Sequence, residues 1–95
     1  MRERGYSQIV IEDNQNAIAL YNENETEVPL VLRLGEMCIA KKYPAAAVAE
    51  KLNLSRQTVY DWFSGKATPN ASNNDKIKGL IEELIKMNVQ LHRFI

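Results

Sequence analysis

The spacing of apolar positions along the chain changes at Pro29. Before it, residues 8–11 and 17–21 form two short apolar runs suited to strands, and the residues between them are polar turn formers. This pattern predicts a β-hairpin. Because an isolated hairpin is marginal in water, it would dock on the rest of the domain, pair with a second copy, or stay mobile. Residues 22–27 are acidic and polar, as expected of a linker or of the approach to a helix.

After Pro29 the apolar positions recur with a helical period. The spacing predicts a first helix over residues 29–42, with Pro29 in its first turn, where no backbone donor is needed. Its repeating positions are Leu30, Leu34, Met37, Cys38 and Lys41. Pro44 then precedes a shorter helix over residues 45–52, which is rich in alanine.

A tight turn and a third helix follow. Asn53 is well suited to positive φ, so Asn53 and Leu54 predict the turn. Ser55 is a good N-cap for a helix over residues 56–64, and Gly65 is expected to end that helix. The apolar face of this helix consists of Val59, Trp62 and Phe63.

The last predicted helix is the longest. Ser72 and Asp75 have the spacing of a capping box. The inward stripe after the box is Ile77, Leu80, Ile81, Leu84 and Met87. More apolar residues lie nearby than a small core can cover, so some of them should need a partner surface. These surplus residues are Ile85, Val89, Leu91, Phe94 and Ile95.

Together these elements predict a mainly α fold, a four- to five-helix domain over residues 28–88. Residues 1–27 would form an acidic N-terminal extension, and residues 89–95 an apolar tail or helix extension. A chain of 95 residues, 45% of them hydrophobic, can hold one modest core but not also a deep catalytic cleft. A binding protein is therefore expected rather than an enzyme.

Side chains for catalysis or metal binding are sparse. Cys38 and His92 are the single cysteine and the single histidine, so no disulfide framework and no metal site are expected. No carboxylate pair, nucleophile–base set or phosphate-binding glycine loop appears, which predicts no catalytic residue and no cofactor. No apolar run approaches the roughly 18 residues of a membrane span, and no signal peptide is visible. We expect a cytoplasmic protein without membrane contact.

Charge is unevenly distributed along a chain whose formal net charge is zero. Residues 1–27 carry two basic and six acidic residues, a net charge of −4, and would repel phosphate. Residues 28–66 carry six basic and three acidic residues, a net charge of +3. The middle segment is therefore the one that favours a nucleic-acid partner.

Two short helices joined by a tight turn, with small residues in the first and an apolar face on the second, are typical of a helix-turn-helix. Residues 48–66, VAEKLNLSRQTVYDWFSGK, followed by Pro69, resemble the Cro/repressor-type (Xre-like) helix-turn-helix of phage and bacterial regulators. The resemblance covers residues 30–85 and implies a Cro/repressor-like fold. It also implies that the outer face of the third helix contacts base edges and that the loop after it contacts phosphate.

Carried over residue by residue, the resemblance implies two sets of DNA contacts. The base-reading residues would be Arg56, Gln57, Thr58, Tyr60 and Asp61, and the phosphate-contacting residues Ser55, Ser64, Lys66, Lys42 and Ala45. Arg56 would donate to guanine, Gln57 would pair with adenine, and Asp61 would accept from a cytosine amino group. Simpler roles stay open, because polar residues are the default on an exposed helix, Tyr60 also suits the rim of the core, and Lys42 suits any helix C-terminus.

Three positions depart from the family pattern. Ala45 replaces a glutamine that often contacts phosphate, and it offers only its backbone N–H. Phe63 stands where an acidic residue often pairs with a basic one on the first helix, and Cys38 is the expected apolar neighbour. Asn53 replaces the usual glycine of the turn. The first departure bears on affinity, and the other two bear on packing.

The leading hypothesis is a sequence-specific double-stranded DNA-binding transcriptional regulator at the nucleoid of a bacterial host. A homodimer on a palindromic operator is expected, because two recognition helices about 34 Å apart add their binding energies. Its interface would be the apolar C-terminus or the N-terminal hairpin. The alternative is a protein-interaction module, a transcription-machinery regulator or antitoxin, whose partner binds the acidic N-terminal segment. Zero net charge favours the alternative, and the local charge of +3 favours DNA.

Overall fold

The fold is given by a computed structural model that describes residues 6–93, with side chains described as far as Met87. The described part of the chain contains five α-helices and no strand. They are α1 (Gln8–Glu23), α2 (Leu30–Lys41), α3 (Ala45–Leu52), α4 (Arg56–Phe63) and α5 (Ala71–Arg93). The predicted mainly α class is confirmed.

The N-terminal segment folds as α1, and the predicted β-hairpin is wrong. Ser7 caps this helix, because its Oγ accepts a hydrogen bond from the Val10 amide at 3.3 Å. The inward face of α1 has a helical period and consists of Val10, Asn14, Ala17, Ile18 and Tyr21. Because the polar Asn14 lies in the middle of this face, residues 12–16 look like a turn in sequence although their period is helical.

The predicted bounds of the next three helices agree with α2, α3 and α4 to within one residue. Pro29 precedes α2 as its N-cap residue, with φ −58° and ψ 146°, rather than lying in the first turn. Lys42 ends α2 in the left-handed conformation with φ 59°, and Asn53 ends α3 in the same way with φ 60°.

The helix α5 begins before the predicted capping box. Asn70 Oδ1 accepts a hydrogen bond from the Asn73 amide at 3.0 Å. Asn70 therefore caps α5, and the predicted box of Ser72 and Asp75 is wrong. Asn70 lies two residues before Ser72, and the hydrogen bond to its side-chain oxygen sets the start of the helix at Ala71.

The inward stripe of α5 ends at Leu84. Ile77, Leu80 and Leu84 are buried, whereas Met87, which was predicted to continue the stripe, is 48% exposed. Ile85, one of the predicted surplus residues, is also 48% exposed. Of the other surplus positions, residues 89 and 91 lie on α5 without a described side chain, and Phe94 and Ile95 lie outside the described residues.

The core sits around α2, which packs against α1, α4 and α5, while α3 packs against α4 and α5. Leu34, Phe63 and Ile77 are fully buried and come from three of these helices. Gly35 permits the close approach of α1 and α4, since a Cβ at this position would lie 2.9 Å from both Asn14 Nδ2 and Phe63 Cγ. The helix α4 is thus held against both α2 and α1.

Candidate nucleic-acid interface

The turn between α3 and α4 depends on Asn53. Asn53 adopts the left-handed conformation and reverses the direction of the chain. The Leu54 amide can then donate to the Ala49 carbonyl oxygen at 2.8 Å. Ala49 is buried where the two helices are joined. Asn tolerates positive φ better than other non-glycine residues, which explains how the turn forms without the usual glycine.

The helix α4 has a buried face and a polar face. Val59, Trp62 and Phe63 are buried in the core, as predicted. The residues predicted to read bases lie on the other side: Arg56 and Gln57 are exposed, and Thr58, Tyr60 and Asp61 are half-buried. The structure therefore brings the five candidate base readers together on one short helix.

Hydrogen bonds hold several of these side chains in place. Gln57 Nε2 donates to Asp61 Oδ1 at 3.0 Å, one helical turn away. Ser55 Oγ caps α4 by accepting from the Thr58 amide at 3.1 Å, and it lies 2.9 Å from Thr58 Oγ1. These bonds join Gln57 to Asp61 and Ser55 to Thr58 along the polar face of α4.

The candidate phosphate contacts differ in what they can donate. Lys66 and Lys42 are exposed cations. Ala45 buries its methyl group, but it is the first residue of α3, and no side chain caps that helix, so its amide remains a donor for an anion. Ser64 donates its hydroxyl proton to the Tyr60 carbonyl oxygen at 2.6 Å, and this geometry does not favour a phosphate contact from Ser64.

An open groove of about 430 Å³ separates α4 from the first two turns of α1. One wall consists of Ser7, Ile9, Val10 and Asp13. The opposite wall consists of candidate DNA-contacting residues, namely Arg56, Gln57, Tyr60, Asp61, Ser64 and Lys66. Sequence reasoning missed the α1 wall, because a hairpin was expected there. The N-cap Ser7 and the helical spacing of the inward face indicate a helix in this segment, although they do not indicate that it packs beside α4.

Tyr6 fixes the start of α1 beside α4. Its hydroxyl donates to the Tyr43 carbonyl oxygen at 2.5 Å, and its ring meets the Tyr60 ring edge-on with 6.2 Å between centroids. Burial raises the pKa of the Tyr6 hydroxyl above its ordinary value. Burial also raises the pKa of the Cys38 thiol to about 12, so Cys38 is a neutral core residue at physiological pH, as expected from the sequence.

Among the described residues, no group of three or more His, Cys, Asp or Glu side chains is arranged to hold a metal ion. None of the described helices combines the length and the apolar composition needed to cross a membrane.

Residues 34–77 match the family model described as "Helix-turn-helix", which spans from α2 through α3 and α4 into the first half of α5. No curated protein and no solved structure matches the chain. The helix α1, which forms the second wall of the groove, lies outside the matched segment. The match agrees with the resemblance carried by residues 48–66, and the chain therefore contains a helix-turn-helix domain of the Cro/repressor (Xre-like) type.

Proposed function

We propose that this helix-turn-helix DNA-binding regulator reads a specific double-stranded sequence by inserting α4 into the major groove. The observation that carries the proposal is the division of α4: Val59, Trp62 and Phe63 anchor it in the core while Arg56 and Gln57 remain exposed at its first turn. A major groove about 12 Å wide accepts one helix, whose outward side chains then reach base edges.

The Gln57–Asp61 pair supports base reading. The bond at 3.0 Å uses one amide hydrogen of Gln57 and one carboxylate oxygen of Asp61. The Gln57 carbonyl and its second amide hydrogen remain for adenine, and the second oxygen of Asp61 remains for a cytosine amino group. Because this bond restrains both side chains, less side-chain entropy would be lost on binding. Thr58 and Tyr60 would contact the same stretch of the groove from half-buried positions.

Contacts to the DNA phosphates would set the register of α4 on the duplex. Lys66 follows the end of α4, and Lys42 and the Ala45 amide lie just before and at the start of α3. Ser55, at the start of α4, would add a contact through its hydroxyl. Cations and uncapped helix amides of this kind position a protein on DNA without reading sequence. The function is one of binding, and no enzymatic reaction is assigned to the chain.

A homodimer on a palindromic site is part of the proposal. One α4 contacts only a few base pairs, and a second copy about 34 Å away would add its binding energy. The C-terminal half of α5 supports this interface, because the helix continues to Arg93 while Ile85 and Met87 are each 48% exposed. The acidic α1 is the less favoured interface, since it packs on its own domain.

Selection from a pool of random duplexes with the purified protein tests the proposal. Enrichment of a palindrome of two short half-sites is expected. A pool that stays random at low salt, where phosphate contacts are strongest, would contradict sequence-specific binding.

A second function, binding of a protein partner, is favoured by one observation. A groove of about 410 Å³ lies between the end of α1, the start of α2 and the loop after α4, with Leu20, Tyr21 and Trp62 among its lining residues. Leu20 is 59% exposed at its edge. The nearby acidic residues Glu23, Glu25 and Glu27 would suit a basic partner segment with an apolar side chain.

Substitution within this groove separates the two functions. Leu20→Ala should leave DNA selection unchanged if the protein is chiefly a DNA reader. A partner that is captured by the wild-type chain and released by Leu20→Ala would support the second function. A single substitution is preferable to removal of the segment, because α1 contributes Ile18 to the core.

A further inference from the structure

The groove between α1 and α4 restricts how a DNA duplex can approach the outer face of α4. Its α4 wall contains the exposed side chains of Arg56, Gln57 and Lys66, and its α1 wall contains Ile9 and Asp13. Ile9 is 68% exposed. A ligand that touches the outer side chains of α4 from this side must therefore also lie against the first turns of α1.

The dimensions of DNA indicate which part of the duplex α1 would meet. A helix with its side chains is about 10–12 Å across, and the major groove is about 12 Å wide, so α1 cannot enter the groove together with α4. A second helix beside an inserted one must lie over the sugar-phosphate strand that borders the groove. The positions of α1 that would face this strand are the exposed Ile9 and the half-buried Asp13, which both line the groove beside α4.

We propose that the first two turns of α1 form part of the DNA interface and that the carboxylate of Asp13 weakens binding to every duplex by facing a phosphate strand. This inference rests on the proposed insertion of α4 in the major groove. Asp13 is half-buried, and none of its side-chain atoms takes part in an ion pair among the described residues. The cations Arg56 and Lys66 line the opposite wall of the groove, but neither lies within ion-pair distance of the Asp13 carboxylate. Asp13 would limit non-specific affinity, which depends on phosphate contacts, while sequence selection would remain with α4.

The test compares two variants that each remove one negative charge from α1. Asp13→Asn alters the α1 wall of the groove between α1 and α4. Glu23→Gln alters the exposed last residue of the same helix. The two positions are about 15 Å apart along the helix axis, which exceeds the Debye length of about 8 Å at physiological salt. Dissociation constants of both variants and of the wild type are measured by fluorescence anisotropy. The probes are the selected duplex and a random duplex, over a range of KCl concentrations, and thermal melting checks that each variant folds.

Asp13→Asn should bind both duplexes about two- to threefold more tightly, which is the effect of one unit charge some 8 Å from a phosphate in water. The ratio between the two duplexes should stay constant, and Glu23→Gln should match the wild type. If Asp13→Asn equals the wild type while the wild type still selects a sequence, the inference is overturned and the proposed function stands. Loss of affinity for the selected duplex alone also overturns it, because Asp13 would then be reading a base. A wild-type chain that selects no duplex overturns both.

Discussion

Asn14 on α1 donates a hydrogen bond of 2.8 Å from Nδ2 to the carbonyl oxygen of Phe63, the last residue of α4. The carbonyl groups of a helix's last turn have no partner within the helix, so Asn14 satisfies one of them. The second hydrogen of Nδ2 goes to the Leu32 carbonyl oxygen at 3.2 Å. Asn14 is 1% exposed, and one buried amide therefore links α1 to α2 and to the end of the candidate recognition helix.

Asn14→Ala should destabilise the protein by about 1–3 kcal/mol, because the buried Phe63 carbonyl would lose its partner. Urea unfolding followed by circular dichroism measures the change. Asn16→Ala is the matched control, since Asn16 is exposed on the same helix, and alanine there should be neutral or slightly stabilising. Equal effects of the two substitutions would show that the Asn14 bonds do not contribute to stability.

Two glycines should respond to alanine in opposite directions. At Gly35 the new Cβ would meet Asn14 Nδ2 and Phe63 Cγ at 2.9 Å, so Gly35→Ala should cost about 1–3 kcal/mol through overpacking. At Gly79, inside α5, a Cβ would have no neighbour within 4 Å. Gly79→Ala should therefore stabilise by about 0.5–1 kcal/mol through helix propensity. Thermal melting measures both effects. If both variants raise, or both lower, the melting temperature relative to the wild type, this geometry is contradicted.

The contrast between α1 and the other helices shows what local signals can predict. The bounds of α3 follow from Pro44 and Asn53. Those of α4 follow from Ser55, Gly65 and the helical spacing of Val59 and Trp62. All of these signals act within a few residues. For α1 the decisive residue is Asn14, whose burial depends on partners 18 and 49 positions away. A polar residue in a buried face has no local signature, so the sequence of this segment predicts two strands and a turn instead of a helix.

The candidate interface, like the fold, could be predicted only in part from the sequence. The side chains on α4 and the cations beside it follow from the family resemblance, because they belong to one continuous segment. The wall formed by Ile9 and Asp13 depends on how α1 packs beside α4, and this packing involves residues about 45 positions apart in the chain. Packing of that kind cannot be derived from periodicity, which identifies faces but not their partners.

Stability should fall at alkaline pH because of Cys38. Burial raises its pKa from 9.0 to about 12, so the folded state holds the thiol proton more tightly than the unfolded state does. This contribution is complete below pH 9 and is lost as the pH rises from about 9 towards 12. The raised pKa of Tyr6 acts in the same direction. Urea unfolding between pH 8 and pH 11 measures how the free energy of unfolding declines with pH. The decline should be shallower for Cys38→Ala. An equally steep decline in that variant would show that another group causes it.

Base readers and phosphate contacts should differ in selectivity. Arg56→Ala and Gln57→Ala should each weaken binding to the selected duplex by about 1–3 kcal/mol and change random-duplex binding much less. Lys66→Ala should weaken both duplexes alike and reduce the salt slope by about one unit per site. Anisotropy titrations at several salt concentrations distinguish the two behaviours. Equal losses on both duplexes for Gln57→Ala would remove it from the base readers, and an unchanged slope would remove Lys66 from the phosphate contacts.

Removal of residues 91–95 should weaken self-association. The buried stripe of α5 ends at Leu84, yet the helix continues to Arg93 with Ile85 and Met87 exposed, and apolar positions persist in the sequence to Ile95. A second copy covering this end would bury them and join the two recognition helices. Sedimentation at micromolar concentration compares the full chain, the truncated chain and Leu20→Glu, a control that alters an exposed apolar residue of α1. The full chain and Leu20→Glu should be dimeric and the truncated chain monomeric. If the truncated chain stays dimeric while Leu20→Glu dissociates, α1 forms the interface and the assignment to α5 is wrong. If the full chain is monomeric both on its own and on the selected duplex, the protein does not act as a dimer.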